Sequence, residues 1–185
     1  MAKVFVITGP SGVGKGTLIR LLREAMPELE LTTSATTRPP REGEKDGADY
    51  HFLDPDEFVR RVDAGDFIEH ATYSGNRYGT LRSEVESRVE SGAPVLLEIE
   101  VQGARQIRAA MPEAVQIFIA PPSADDLRRR LEQRGTDDPQ TIAGRLRVAE
   151  QELEARIEFP HTVVNDDRER AAEALGEIVR SQLSS

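Results

Sequence analysis

At 185 residues, 38% of them hydrophobic, the chain fits one domain with a core of its own. No apolar run approaches the ~18 residues of a membrane-crossing helix. Zero cysteines remove disulfides, thiolate metal sites and thiol catalysis. The net charge of −9 argues against a general nucleic-acid binder, so any polyanionic ligand must be met by local positive groups.

The opening MAKVFVIT carries no charged leader and no cleavage site, so no signal peptide is expected. KVFVIT (3–8) is a β-branched run that reads as a strand, and GPSGVGKGTL (9–18) follows. Leu18, Ile19, Leu21 and Leu22 then recur at helical spacing until Pro27 stops them. Residues 29–37 read as one strand, and 38–50 are too polar and too broken by Pro and Gly for regular structure. A helix over 54–65 is signalled by Asp54 as N-cap, Pro55 at the first position, Glu57 three residues after the cap and Gly65 past the end. Residues 67–80 read as a hairpin turning at Ser74, Gly75 and Asn76, and 81–91 as an amphipathic helix.

PVLLEIE (94–100) has the apolar start of a buried parallel strand. A helix over 101–111, a strand over 114–120 and a helix over 123–135 capped by Ser123 come next. Residues 139–157 read as a heavily charged helix, 162–165 as a last strand and 168–183 as a last helix. The alternation predicts an α/β fold, a parallel sheet covered by helices, with loops at the strands' C-terminal ends on one rim. Two elaborations interrupt it, one β-rich and one of charged helices.

Gly9, Gly14 and Lys15 have the spacing of a phosphate loop, set between a strand and a helix. Glycines let backbone N–H groups converge on an anion, the helix adds its N-terminal partial charge, and Lys15 reaches the outer phosphates. Ser11, Gly12, Val13, Gly16 and Thr17 complete the cradle. Gly16 stands where many such loops place a Mg²⁺-binding hydroxyl. Mg²⁺ is therefore expected to rest on phosphate oxygens and water, and no side chain is assigned as a direct metal ligand. The missing hydroxyl argues against a GTPase-type switch and suits phosphate transfer between two nucleotides.

An acceptor must face this loop. Ser34, Arg38, Arg41 and Tyr50 fall within one excursion, and two arginines near a phenol can clamp a phosphate. An arginine pair of this kind is also what a solvated loop carries. Glu98 and Glu100 share one face of a strand by its period of two, and a charged pair inside a buried strand is costly unless used.

Read together, GPSGVGKGTL (9–18), SATTRPPREGEKDGADYHF (34–52), FIEHATYSGNRYGT (67–80), LLEIEVQGARQI (96–107), RLEQRGTDDPQTIAGRL (130–146) and VVND (163–166) resemble the guanylate kinase family along nearly the whole chain. The resemblance implies a three-layer P-loop kinase core (1–33, 81–122, 156–185), a small β-rich GMP-binding insertion (34–80) and a helical lid (123–155). It implies that Ser34, Arg38, Arg41, Tyr50, Glu69, Tyr78, Thr80 and Glu100 bind GMP. Arg38, Arg41, Tyr50 and Tyr78 would take the phosphate, Glu69 the guanine N1–H and 2-amino group, and Ser34 the O6. Position 100 is usually Asp in this family and is Glu100 here, which displaces the carboxylate by about a bond length. Thr80 keeps the hydroxyl of the more usual Ser.

The loop residues 9 and 11–17 would hold ATP, with Arg130 along the adenine and Asn165 at its edge. Lys15, Arg134 and Arg145 would be catalytic. Guanidinium contacts of this type are worth ~10³–10⁵ in rate. The implied partners are GMP or dGMP and ATP with Mg²⁺, with no nucleic acid and no membrane, in a cytoplasmic monomer or homodimer. Two alternatives remain at this point. One is a kinase for another nucleoside monophosphate. The other is a non-catalytic binding module, a class that tends to lose the loop lysine and lid arginines that stand here.

Overall fold

The computed structural model describes residues 3–73, 75–133 and 139–184. Strand β1 (Val4–Thr8) is buried at every position. It lies between β7 (Val95–Glu98) and β8 (Val115–Ala120) in a five-stranded parallel sheet of order β2-β7-β1-β8-β9. The outer strands are β2 (Glu30–Leu31) and β9 (His161–Val164). Alternate β1 residues serve two separate cores, which is why positions 4–7 are all apolar; the strand ends on the buried Thr8. Phe5 and Ile7 join Leu18 and Leu22 of α1 (Lys15–Ala25) and Leu175 and Val179 of α7 (Arg168–Leu183). Val4 and Val6 join Ala104 and Ile107 of α4 (Val101–Ala110) on the other face.

The expected strand over 29–37 divides. Glu30–Leu31 pairs with β7, whereas β3 (Ala35–Thr36) belongs to a second, four-stranded sheet of order β4-β3-β6-β5. Between them a side chain replaces the ladder, as Thr33 N–H donates to Glu84 Oε2 at 2.9 Å. The second sheet holds β4 (His51–Phe52), β5 (Phe67–Tyr73) and β6 (Asn76–Leu81), the last two an antiparallel hairpin. Ser74 of its expected turn lies outside the described residues.

Helix α2 (Pro55–Ala64) starts as its sequence dictates, with Asp54 accepting the Glu57 N–H at 2.8 Å. It closes a small core in which Phe58 stacks on Phe67 with ring centroids 4.5 Å apart, beside Ala35 and Leu81. The helix expected to be amphipathic, α3 (Arg82–Ser91), is not; Val85 is its buried side chain. Charged contacts hold it instead, with Glu84 meeting His51 at 3.1 Å and Arg88 at 2.8 Å.

Helices α5 (Ala124–Gln133) and α6 (Pro139–Glu154) form the charged pair, and α6 runs into a 3₁₀ turn over Ala155–Glu158. Ser123 caps α5, its Oγ accepting the Asp126 N–H at 3.0 Å. Leu127, Leu131 and Ala149 tie the pair to the first core. Among the described residues no helix is long and apolar enough to cross a membrane.

Candidate active site

The loop after β1 is built by close approach. Gly9 has φ 142°, and a Cβ there would lie 2.2 Å from the Ile119 carbonyl oxygen. Any side chain would push the loop off β8. Gly14, at φ 98°, caps α1, and its Cβ would meet Asn165 Nδ2 at 2.6 Å. No acidic residue occupies the first turn of α1, so its N-terminal N–H groups and dipole face the loop uncompensated. Lys15 is 7% exposed. Its Nζ donates to the Gly9 carbonyl at 2.6 Å and sits 3.5 Å from Glu100 Oε1. Gly16 and Thr17 are exposed, and a Cβ at Gly16 would lie 3.7 Å from both Glu98 carboxylate oxygens. Glu98 therefore flanks the place of the absent hydroxyl. Among the described residues no group of three His, Cys, Asp or Glu side chains is arranged to hold a metal.

On the far side of the loop, Val13 is buried and its carbonyl is shared. Asn165 Nδ2 donates to it at 2.7 Å and Arg130 Nη1 at 3.2 Å, while Arg130 Nη2 reaches the Asn165 carbonyl at 2.7 Å. Arg130, Asn165 and the loop thus form one wall, although they come from α5, the end of β9 and the β1–α1 turn. Arg145 is half-buried on α6. Arg134 lies outside the described residues.

Between the two sheets is a cavity of about 290 Å³, lined among others by Ser34, Tyr50, Glu69, Tyr78, Glu98 and Glu100. Glu69 is 4% exposed, and Thr80, fully buried behind it, donates from Oγ1 to its Oε1 at 2.7 Å. Burial pushes the Glu69 carboxyl up to about 7, against the pull of the Thr80 hydrogen bonds. Burial also raises Glu98, with the Lys15 charge opposing. Tyr50 and Tyr78 meet edge to face at 6.3 Å. Glu98 and Glu100 do not share a strand as expected. The strand ends at Glu98 and Glu100 is the N-cap of α4, yet the turn delivers both carboxylates to the cavity.

Arg38 stands beside the cavity, over Tyr50 of its lining. Arg38 Nη2 donates to both Glu44 oxygens at 2.8 and 2.9 Å, with its guanidinium 5.3 Å over the Tyr50 ring. The Arg41 backbone N–H donates to the same carboxylate at 2.7 Å.

Two acids in this region escape a reading of the sequence. Glu44, inside an already charged loop, carries no pattern that marks it as the partner of Arg38. Glu152 looks like one more charge on α6, but it is 9% exposed and lines a pocket with Val101 at the start of α4. Burial and the adjoining Glu100 raise its pKa. Its position three residues after buried Ala149 places it on the inner face of α6, and that spacing is the one available signal.

Known proteins answer to this arrangement. A family model described as "Guanylate kinase" matches residues 1–182. A guanylate kinase of Frankia casuarinae is 54% identical over 170 residues, 92% of each chain. One from Rubrobacter xylanophilus is 51% identical over 178 residues, 96% of this chain and 93% of that one. The crystal structure of guanylate kinase from Anaplasma phagocytophilum superposes with a TM-score of 0.79 at 35% identity, covering 98% of this chain and 86% of the other. Loop, cavity and sequence agree, and the chain belongs to the guanylate kinase family.

Proposed function

We propose that the chain transfers the terminal phosphoryl group of ATP to GMP, with the loop at residues 9–17 holding the donor and the inter-sheet cavity holding the acceptor. The observation that carries this reading is Glu69, a carboxylate 4% exposed in a cavity wall whose other members reach Lys15 through Glu100. An ionised carboxylate offers two acceptors side by side, which matches the N1–H and 2-amino donors of guanine. Adenine presents neither donor and would leave Glu69 unpaired, a mismatch worth up to ~10⁴ in discrimination. Tyr50, Tyr78, Arg38 and Arg41 would hold the acceptor phosphate.

The acceptor phosphate is already an oxyanion, so no strong general base is required. The demand is to hold two polyanions in line and to compensate charge on the group in flight. Lys15 would do so from the loop, Arg134 and Arg145 from the lid, and Arg130 and Asn165 would seat the adenine. Magnesium enters with ATP and supplies further charge compensation. With Gly16 bare, the Glu98 carboxylate, 3.7 Å from where a Cβ at Gly16 would lie, would face the water shell of that ion. GDP formed from GMP and ATP-Mg²⁺, with AMP as control, tests the reading; equal turnover of both would end it.

The Glu69 carboxyl must be ionised to read guanine, and its folded pKa is about 7. Below that value kcat/KM for GMP should fall by about tenfold per pH unit. The phosphate of GMP also titrates near ~6, so Glu69→Gln serves as the reference in which that slope alone remains. Stability runs the other way. The folded pKa lies above the ordinary value of 4.5, so the contribution of Glu69 is full below 4.5 and is lost as pH rises to about 7. Glu69→Gln should therefore melt higher than the parent at pH 8, by calorimetry, and at the same temperature near pH 4.5.

Arg38→Met should raise KM for GMP by roughly 10–100-fold, the worth of a charged hydrogen bond, with KM for ATP nearly unmoved. Steady-state kinetics with each substrate varied in turn checks this.

A further inference from the structure

Helix α4 carries a glycine, Gly103, in its first turn. Glycine in a helix costs about 0.5–1 kcal/mol relative to alanine. Its backbone does not demand the residue, since Gly103 is absent from the glycines of positive φ. Space does. A Cβ on Gly103 would lie 2.2 Å from Glu69 Oε2, 3.0 Å from its Cδ and 3.5 Å from its Cγ. By contrast a Cβ on Gly144 of α6 would meet nothing within 4 Å.

The helix cannot retreat to make room. One turn along the same face, Gln106 clasps β5 beside Glu69. Its Oε1 accepts the His70 N–H at 3.1 Å and its Nε2 donates to the His70 carbonyl at 2.7 Å. Ala104 and Ile107 are fully buried in the second core. On the opposite side Thr80 holds the other carboxylate oxygen at 2.7 Å. The Glu69 carboxylate is thus fixed between a hydroxyl and the bare Cα of Gly103. A methyl at 103 must be absorbed by the carboxylate, not by the helix.

We propose that Gly103 is a specificity-determining positioning residue: its missing side chain is the slot that holds the Glu69 carboxylate in the orientation that reads guanine. The proposal rests on the guanine-reading role given to Glu69 above. The three nearest atoms a Cβ at Gly103 would meet all belong to Glu69. Its loss should therefore be felt by the acceptor base and not by the donor.

The test is a double-mutant cycle on the whole chain, with Gly103→Ala, Glu69→Ala and both together. Kinetics are measured with GMP, AMP and ATP, and melting by calorimetry. In Gly103→Ala, kcat/KM for GMP should fall by about 30-fold or more while KM for ATP stays within about threefold. Use of AMP should be unchanged, so the GMP-to-AMP ratio shrinks. In the Glu69→Ala background the same substitution should add no further loss and should no longer lower the melting temperature, because the clash is gone. If Gly103→Ala does not fold, the double variant should, and a double variant that also fails to fold overturns the proposal. GMP use within about threefold of the parent, equal losses for GMP and ATP, or full additivity with Glu69→Ala would each overturn it as well. Should Glu69→Gln, with Gly103 intact, keep full preference for GMP, the guanine-reading role itself fails, and the two failures remain separable.

Discussion

Lys15→Met is expected to lower kcat by about 10³-fold or more, leaving a folded protein that melts close to the parent. The ammonium is the one lysine charge the loop carries, 7% exposed and aimed into the cradle by the Gly9 carbonyl at 2.6 Å. Methionine matches its length and flexibility but offers no charge to the transferring phosphoryl group. None of its contacts, to the Gly9 and Pro10 carbonyls and to Glu100, carries the fold. Gly9 is held by its packing against β8, and Glu100 is 32% exposed, so water solvates it when its partner is gone. Single-turnover phosphoryl transfer, read alongside calorimetry, separates chemistry from folding. Near-parent turnover would remove Lys15 from the mechanism.

Glu69→Gln should lower kcat/KM for GMP by roughly 10²–10³-fold and leave KM for ATP within about threefold. The amide keeps one acceptor and turns a donor toward a base that has only donors at that edge. One hydrogen bond is kept and the other becomes a donor–donor repulsion. Thr80 still finds an oxygen to donate to, so the local packing survives. Nucleotide-varied kinetics with GMP, AMP and ATP decide the matter. Equal losses for both substrates would count against base reading.

Much of this was legible in the residues because it rests on local chemistry. A β-branched run followed by a glycine loop and a helical stripe can be little else than strand, cradle and helix. Asp54, Pro55 and Gly65 fix α2 to the residue. The strand boundaries near 29–37 were not legible, since whether a peptide pairs with β7 or β6 depends on Glu84, far along the chain. The same limit hid the amphipathic failure of α3, whose neighbours are charges supplied by other elements. Glu69 reads as an ordinary strand carboxylate until α4 and Thr80 close over it. The partner that makes its burial possible is a glycine, and an empty space leaves no pattern in a sequence.

The acceptor sheet is fastened unevenly. At β5 it is pinned to α4 by the Gln106 clasp and by Ile68, which is buried in the second core. At the opposite edge, β4 meets α3 through a side-chain contact between His51 and Glu84 at 3.1 Å. A plate riveted along one border and latched along the other would swing about the rivets once the latch opened. In such a swing Glu69, on β5, would travel least, and Arg38, beyond β3, would travel further. On the guanine-reading role proposed for Glu69, recognition would then come before grip, with purine identity checked at a stationary point and the rim drawn in afterwards.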